Sequence, residues 1–238
     1  MNVSPIAYAG LTAVGNVIGA LVAVGGARRA VRFLDALIAV AAGFMIAVAL
    51  VQLVPEALAR GGSGAAWVML GGYLVVHLAQ HTLTHHFHFG EETHRVTPAV
   101  GASALAGLLV HTFVDGVAIA SGFQVSETLG VLVFVAVALH KLPEGLAIAS
   151  LFLASGSSPR VAVAAASALG LATMAGVSLA HIADPLARHG LPLAAGVTLY
   201  VAASNLVPEF QARRGWRLAL YFFGGCALYL LIEGFLER

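Results

Sequence analysis

Apolar runs of about twenty residues recur along this 238-residue chain, with short polar turns between them. A helix of about 20 residues spans the roughly 30 Å hydrocarbon core of a bilayer. Backbone polar groups in lipid must be satisfied internally, so such runs can fold only as helices. Charged residues are 10% of the chain, mean hydropathy is +0.93, and hydrophobic residues make up 60%. A soluble domain carries about 25% charged residues. The pattern predicts an all-α polytopic membrane protein, a single transmembrane domain over 1–238, with the lipid bilayer as its solvent. Net charge is +1, which gives no reason to invoke nucleic acid. The single cysteine, Cys226, leaves no partner for an intrachain disulfide. The first apolar stretch has no basic segment before it and no clear cleavage site, and it reads as a retained span.

Eight spans are predicted, at about 5–24, 34–58, 65–82, 98–123, 129–153, 161–183, 191–207 and 216–235. Asn16, the one strongly polar group inside span one, reads as an interhelical hydrogen-bonding residue. Span two ends Leu53-Val54-Pro55-Glu56, where Pro55 is expected to break the helix ladder. A turn containing Glu127 joins spans four and five, and Asp184-Pro185 closes span six. His77 reads as a packed residue in span three. Cys226, Trp216 and the Tyr221–Tyr229 region read as packing and interfacial anchoring.

Arginine placement predicts orientation. Loops after odd-numbered spans hold Arg28, Arg29, Arg32, Arg95, Arg160, Arg213, Arg214 and Arg217, and the other side holds Arg60, Arg188 and Arg238. The basic-rich side is expected to be cytoplasmic. Both termini then lie outside the cytoplasm. The polar tract at 83–96, with His85, His86, His88 and His94, becomes a His-rich cytoplasmic loop able to contact metal. Leu206-Val207-Pro208-Glu209 in span seven echoes the end of span two. Matching segments in opposite orientation predict an inverted pseudo-repeat, spans 1–3 and 6–8 around the 4/5 pair, with a substrate site near the midplane.

One phrase occurs twice, 29 residues apart. His111-Thr112-Phe113-Val114-Asp115-Gly116-Val117-Ala118-Ile119-Ala120-Ser121 returns as His140-Lys141-Leu142-Pro143-Glu144-Gly145-Leu146-Ala147-Ile148-Ala149-Ser150. Residues i and i+4 share a helix face, so His111 stands over Asp115 and His140 over Glu144. Two such faces turned together offer two imidazoles and two carboxylates, a donor set suited to zinc and also to iron, manganese or cobalt. Two carboxylates neutralise a dication in a low-dielectric medium. A charge at mid-helix costs about 2.5–3.5 kcal/mol on insertion scales, so Asp115, Lys141 and Glu144 in adjacent spans need a reason. A buried ion-pair cluster around Lys141 is the bland reason, but it leaves the doubled His-x-x-x-acid spacing unexplained. Pro143 frees the Leu139 carbonyl, and Gly116 and Gly145 leave room for facing helices. Gln52, Glu56, Asn205 and Glu209 are candidates for the pathway mouths or for hydrated helix ends, and His181 with Asp184 for an interfacial cap or an entry station.

His-x-x-x-Asp-Gly followed by His-x-x-Pro-Glu-Gly resembles the ZIP family of divalent metal transporters. The eight spans, the outward termini, the Leu-x-Pro-Glu ends of spans two and seven and the His-rich loop resemble it too. The resemblance implies a homodimeric uptake carrier in the cell (plasma or inner) membrane. It would move zinc, iron, manganese, cobalt or cadmium toward the cytoplasm as cargo, with no resident cofactor. It also implies elevator-type alternating access, spans one, four, five and six moving against two, three, seven and eight. His111, Asp115 and Glu144 match the family's main site, His140 a frequent fourth ligand, and Met45 a thioether position that some members use. Members with a paired-metal site carry Asn and an acid where this chain has Thr112 and Lys141. The expectation is one metal per subunit, with the Lys141 ammonium in place of a second. A metal-dependent intramembrane enzyme is the first alternative, but no His-Glu-x-x-His run is present. A metal-selective channel is the second, and it needs weaker sites than four strong ligands make.

Overall fold

The computed structural model describes residues 4–26, 30–83, 98–211 and 216–237, and all secondary structure among them is helical. The helices are α1 (Pro5–Val24), α2 (Ala30–Ala47), a π-helical segment (Val48–Leu53), α3 (Val54–Leu83), α4 (Pro98–Val125), α5 (Glu127–Ala154), α6 (Pro159–Ile182), α7 (Asp184–Tyr200), a second π-helical segment (Val201–Leu206), α8 (Val207–Gln211) and α9 (Trp216–Leu236). Seven helical stretches among the described residues are long and apolar enough to cross a membrane. The chain is a multi-pass membrane protein. Its polarity is inverted accordingly: Ile182, Phe235 and Trp67 are 80, 78 and 74% exposed, while Lys141, Asn16 and Thr112 are fully buried.

One of the seven stretches, Phe33–Gln80, is 48 residues long. Straight, it would measure about 72 Å at 1.5 Å per residue. It is broken at Gly62, whose φ of 55° and ψ of −147° lie in a region that side chains avoid.

Pro55 does not break its helix. Proline lacks the N–H that would bond four residues back, and its ring crowds that carbonyl. Here the preceding turn widens instead: the Val54 N–H bonds to Ala49 O, five residues earlier, and helix continues beyond the proline. Pro208 is met in the same way, the Val207 N–H reaching Ala202 O. Two other boundaries differ from expectation. Asp184-Pro185 opens α7 rather than closing α6, since proline is suited to the first turn of a helix. Glu127 sits in the first turn of α5 behind the cap Ser126, whose Oγ accepts the Leu129 N–H at 3.1 Å.

Ser126 is the one residue between α4 and α5, which therefore double back as a hairpin. Each helix has 28 residues, and His111 and His140 are each the fourteenth. Both thus stand at mid-height, 15 and 14 residues from the turn.

Glycine fixes the crossings. A Cβ on Gly145 would overlap the Asn16 backbone of α1, and one on Gly19 the Leu142 carbonyl of α5. The same pattern joins α4 to α6, where Gly116 faces the Thr173 carbonyl and Gly176 the Phe113 carbonyl. Gly43 and Gly225 interlock α2 with α9, and Gly72 and Gly196 interlock α3 with α7. Gly43 and Gly196 are 153 positions apart, as are Gly72 and Gly225, and Pro55 and Pro208. A small apolar cluster around Ala20, Ala104, Ile148 and Leu169 is built from α1, α4, α5 and α6 alone.

Candidate metal centre

The hairpin brings the two i, i+4 faces together at mid-height. One ligand atom from each of His111, Asp115, His140 and Glu144 lies within 4.8 Å of all the others. Among the described residues no other group of three or more His, Cys, Asp or Glu side chains converges in this way. Asp115 Oδ2 is the hub, 3.3 Å from His111 Nε2 and 3.2 Å from His140 Nε2. Glu144 Oε2 lies 3.7 and 3.8 Å from the same two nitrogens. A tetrahedral zinc ion with ligands at about 2.0–2.1 Å sets ligand atoms about 3.3 Å apart. The four nitrogen–oxygen separations are thus within about half an ångström of that geometry.

The hydrogen bonding of His140 orients it for such a role. Its Nδ1 lies 3.0 Å from the Ala136 carbonyl. A carbonyl only accepts, so Nδ1 carries the proton, and in the neutral ring the Nε2 lone pair faces the centre. An outer N–H held by a carbonyl is the usual support of a metal-ligating histidine. That lone pair then confronts the Asp115 carboxylate, and two acceptors at contact distance need a cation between or beside them.

Lys141 supplies one. Its Nζ donates to Asp115 Oδ2 at 2.6 Å and to Glu144 Oε2 at 2.9 Å, and the side chain is wholly buried. Its stem passes between the site and α1, where a Cβ on Gly15 would stand 3.2 Å from the Lys141 Cβ. His111 Nδ1 and Glu144 Oε1 have no hydrogen-bond partner among the described residues. The centre therefore keeps polar capacity that the described residues leave unmet.

Other candidates fall outside this cluster. Thr112 is buried, but its hydroxyl donates to the Leu108 carbonyl at 2.9 Å. Met45 is buried in the main apolar core. Gln52 donates to the Glu233 carboxylate on α9, which also accepts from the Tyr229 hydroxyl at 2.6 Å. Asn205 and Glu209 are half-buried beyond the second π-helical segment, and His181 is exposed at the end of α6. His85, His86, His88 and His94 lie outside the described residues. His77 packs edge-on against Tyr200, with ring centroids 5.7 Å apart. The Asn16 amide has no hydrogen-bond partner among the described residues, contrary to the interhelical bond expected of it. Glu233 was missed in the sequence, although an acid inside an apolar span is itself a signal.

No curated protein matches the chain. A family model described as ZIP zinc transporter matches residues 75–233, which include both copies of the doubled phrase.

Proposed function

This chain belongs to the ZIP zinc transporter family, and from that premise we propose that it is an importing carrier whose cargo is held by His111, Asp115, His140 and Glu144. Divalent metal transport is the activity of the family, with zinc the first candidate and iron, manganese, cobalt or cadmium the others. The observation that carries the assignment is the meeting of two imidazoles and two carboxylates at the middle of a buried hairpin. Three of these groups are at most 3% exposed and Glu144 is 9% exposed. A site closed to both surfaces suits a carrier that exposes its cargo alternately, rather than an open pore.

Lys141 takes part in this reading as a tethered cation. It neutralises Asp115 and Glu144 while the site awaits cargo, and it fills the place of a second ion. One metal per subunit follows. Loading requires the ammonium to yield part of its contact with the carboxylates, so the two charges exchange instead of accumulating in a low-dielectric interior.

The movement proposed is of α1, α4, α5 and α6 as one body against the rest. Support comes from the glycine interlocks. The crossings in which backbone meets backbone join α1 to α5 and α6, α4 to α5 and α6, α2 to α9, and α3 to α7. Each lies within one proposed body, which leaves the seam between bodies to side chains. Taking Gly62 as a reversal gives eight spans. The 153-residue spacing of the paired glycines and prolines then supports an inverted repeat. The arginine distribution supports outward termini, import toward the cytoplasm and a cytoplasmic 83–96 loop that receives the released metal. A homodimer in the plasma or inner membrane completes the proposal.

Uptake of several ions into proteoliposomes tests it, with wild type beside His111→Ala, Glu144→Ala and Lys141→Ala. Saturable uptake lost in the first two variants supports a carrier. Flux linear in metal concentration and steered by voltage would show a channel.

A further inference from the structure

A polar cavity lies away from the metal centre. It has a volume of about 350 Å³ and opens where α4 ends, beside the first turns of α7 and the Gly62 break in α3. Its polar lining consists of Arg60, Arg188, His189, Gln124 and Ser121, with no aspartate or glutamate among the described residues that line it. Two of the three arginines on the arginine-poor side of the chain thus converge on one cavity. Arg60 is bridged to Glu56 at 2.5 Å, outside the lining. The Ser121 Oγ is buried and has no hydrogen-bond partner among the described residues. The Gln124 amide makes one long contact, 3.4 Å to the Ala180 carbonyl.

We propose that this cavity binds a small oxyanion of the carboxylate or phosphate class. Guanidinium groups present planar, always charged donors that match such oxygens two at a time. The hydroxyl at the cavity wall and the amide beside it add neutral donors. The described lining offers a divalent cation no carboxylate ligand, so the cavity does not duplicate the metal centre. Ser121 is six residues beyond Asp115 on the same helix, about 9 Å along its axis. The placement gives the anion a consequence. Ser121 and Gln124 belong to α4, whereas Arg60 and Arg188 belong to α3 and α7, and Ser121 also fills the space over Gly190. A bound oxyanion therefore bridges the seam between the two bodies proposed above. Binding itself does not depend on that reading.

Inorganic phosphate is the probe, added to the purified full-length protein in neutral detergent. Thermal unfolding is followed against sodium chloride of equal ionic strength. Phosphate is expected to raise the midpoint saturably in wild type. Arg188→Gln should weaken the response about tenfold, the worth of a charge-assisted hydrogen bond, and Arg188→Lys by less. Arg217→Gln, outside the cavity, should leave it unchanged, and zinc binding should be intact in every variant. Nanodiscs of phosphatidylcholine with and without phosphatidylglycerol separate the sources. Loss of the phosphate response only with phosphatidylglycerol assigns the site to a lipid headgroup, and persistence in both assigns it to a soluble anion. No saturable response in wild type, or an equal response in Arg188→Gln, overturns the proposal. Failure of wild type to bind zinc while its phosphate response is intact would instead count against the metal-site reading alone.

Discussion

Lys141 is the residue on which the chemistry of the centre turns. Its ammonium touches both carboxylates, and removing one partner of a buried ionic group typically costs about 3–5 kcal/mol. Lys141→Met should therefore lower the unfolding midpoint of the metal-free protein, with added zinc restoring most of the loss. Lys141→Asp should raise the number of zinc ions bound per chain from one to two, read by elemental analysis. A second ion already present in wild type would contradict the tethered-cation reading. At this scale the sequence was informative because i, i+4 spacing is a local rule: it put each histidine over its acid before any fold was known. The partners across the hairpin were not local. That Asp115 Oδ2 sits between two imidazoles depends on the single-residue turn at Ser126. Likewise, nothing near Gln52 in the sequence points to Glu233, 181 positions away.

Among the elements, the crossings carry the sharpest expectations. A side chain at Gly116 meets the Thr173 carbonyl and the Val177 amide of α6, neither of which can rotate away. Gly116→Val should destabilise by at least the roughly 1–3 kcal/mol of ordinary overpacking. Gly10→Ala, where an added Cβ on α1 would meet no atom of the described residues, should be neutral or stabilising by up to about 1 kcal/mol. Both are checked by thermal unfolding in detergent. Gly62→Ala should cost about 1–3 kcal/mol, because φ is 55° and an added Cβ would meet no atom of the described residues within 4 Å, so backbone strain acts alone. The span bounds were predicted from apolar length; α1 matched its range of 5–24, whereas the predicted spans 34–58 and 65–82 fall within one apolar stretch, Phe33–Gln80. Pro55 did not behave as a helix stop, because a π-helical turn ahead of the proline absorbs the missing bond. Proline signals trouble in the helical ladder without saying whether the chain ends the helix or widens it.

For the whole molecule, the alternating access proposed above would make the seam beside α7 the part that slides. Ser121 and Gly190 face each other there. A Ser121→Cys, Gly190→Cys pair on a Cys226→Ser background should block zinc uptake when oxidised and recover it on reduction. Full uptake by the cross-linked form would contradict motion along that seam. The class of molecule was legible from hydropathy, and the family from the doubled phrase. The pairing of helices was not, because glycine interlocks look the same in sequence as glycines such as Gly10 and Gly71, where an added Cβ would meet no atom of the described residues. The central claim is that four side chains of one hairpin hold the cargo together. X-ray absorption at the zinc edge of the zinc-loaded protein tests it most directly. The expected first shell is nitrogen and oxygen at about 2.0–2.1 Å with imidazole scattering, at one zinc per chain, and it should vanish in His111→Ala and Glu144→Ala. Full zinc content with an unchanged shell in both variants would contradict it.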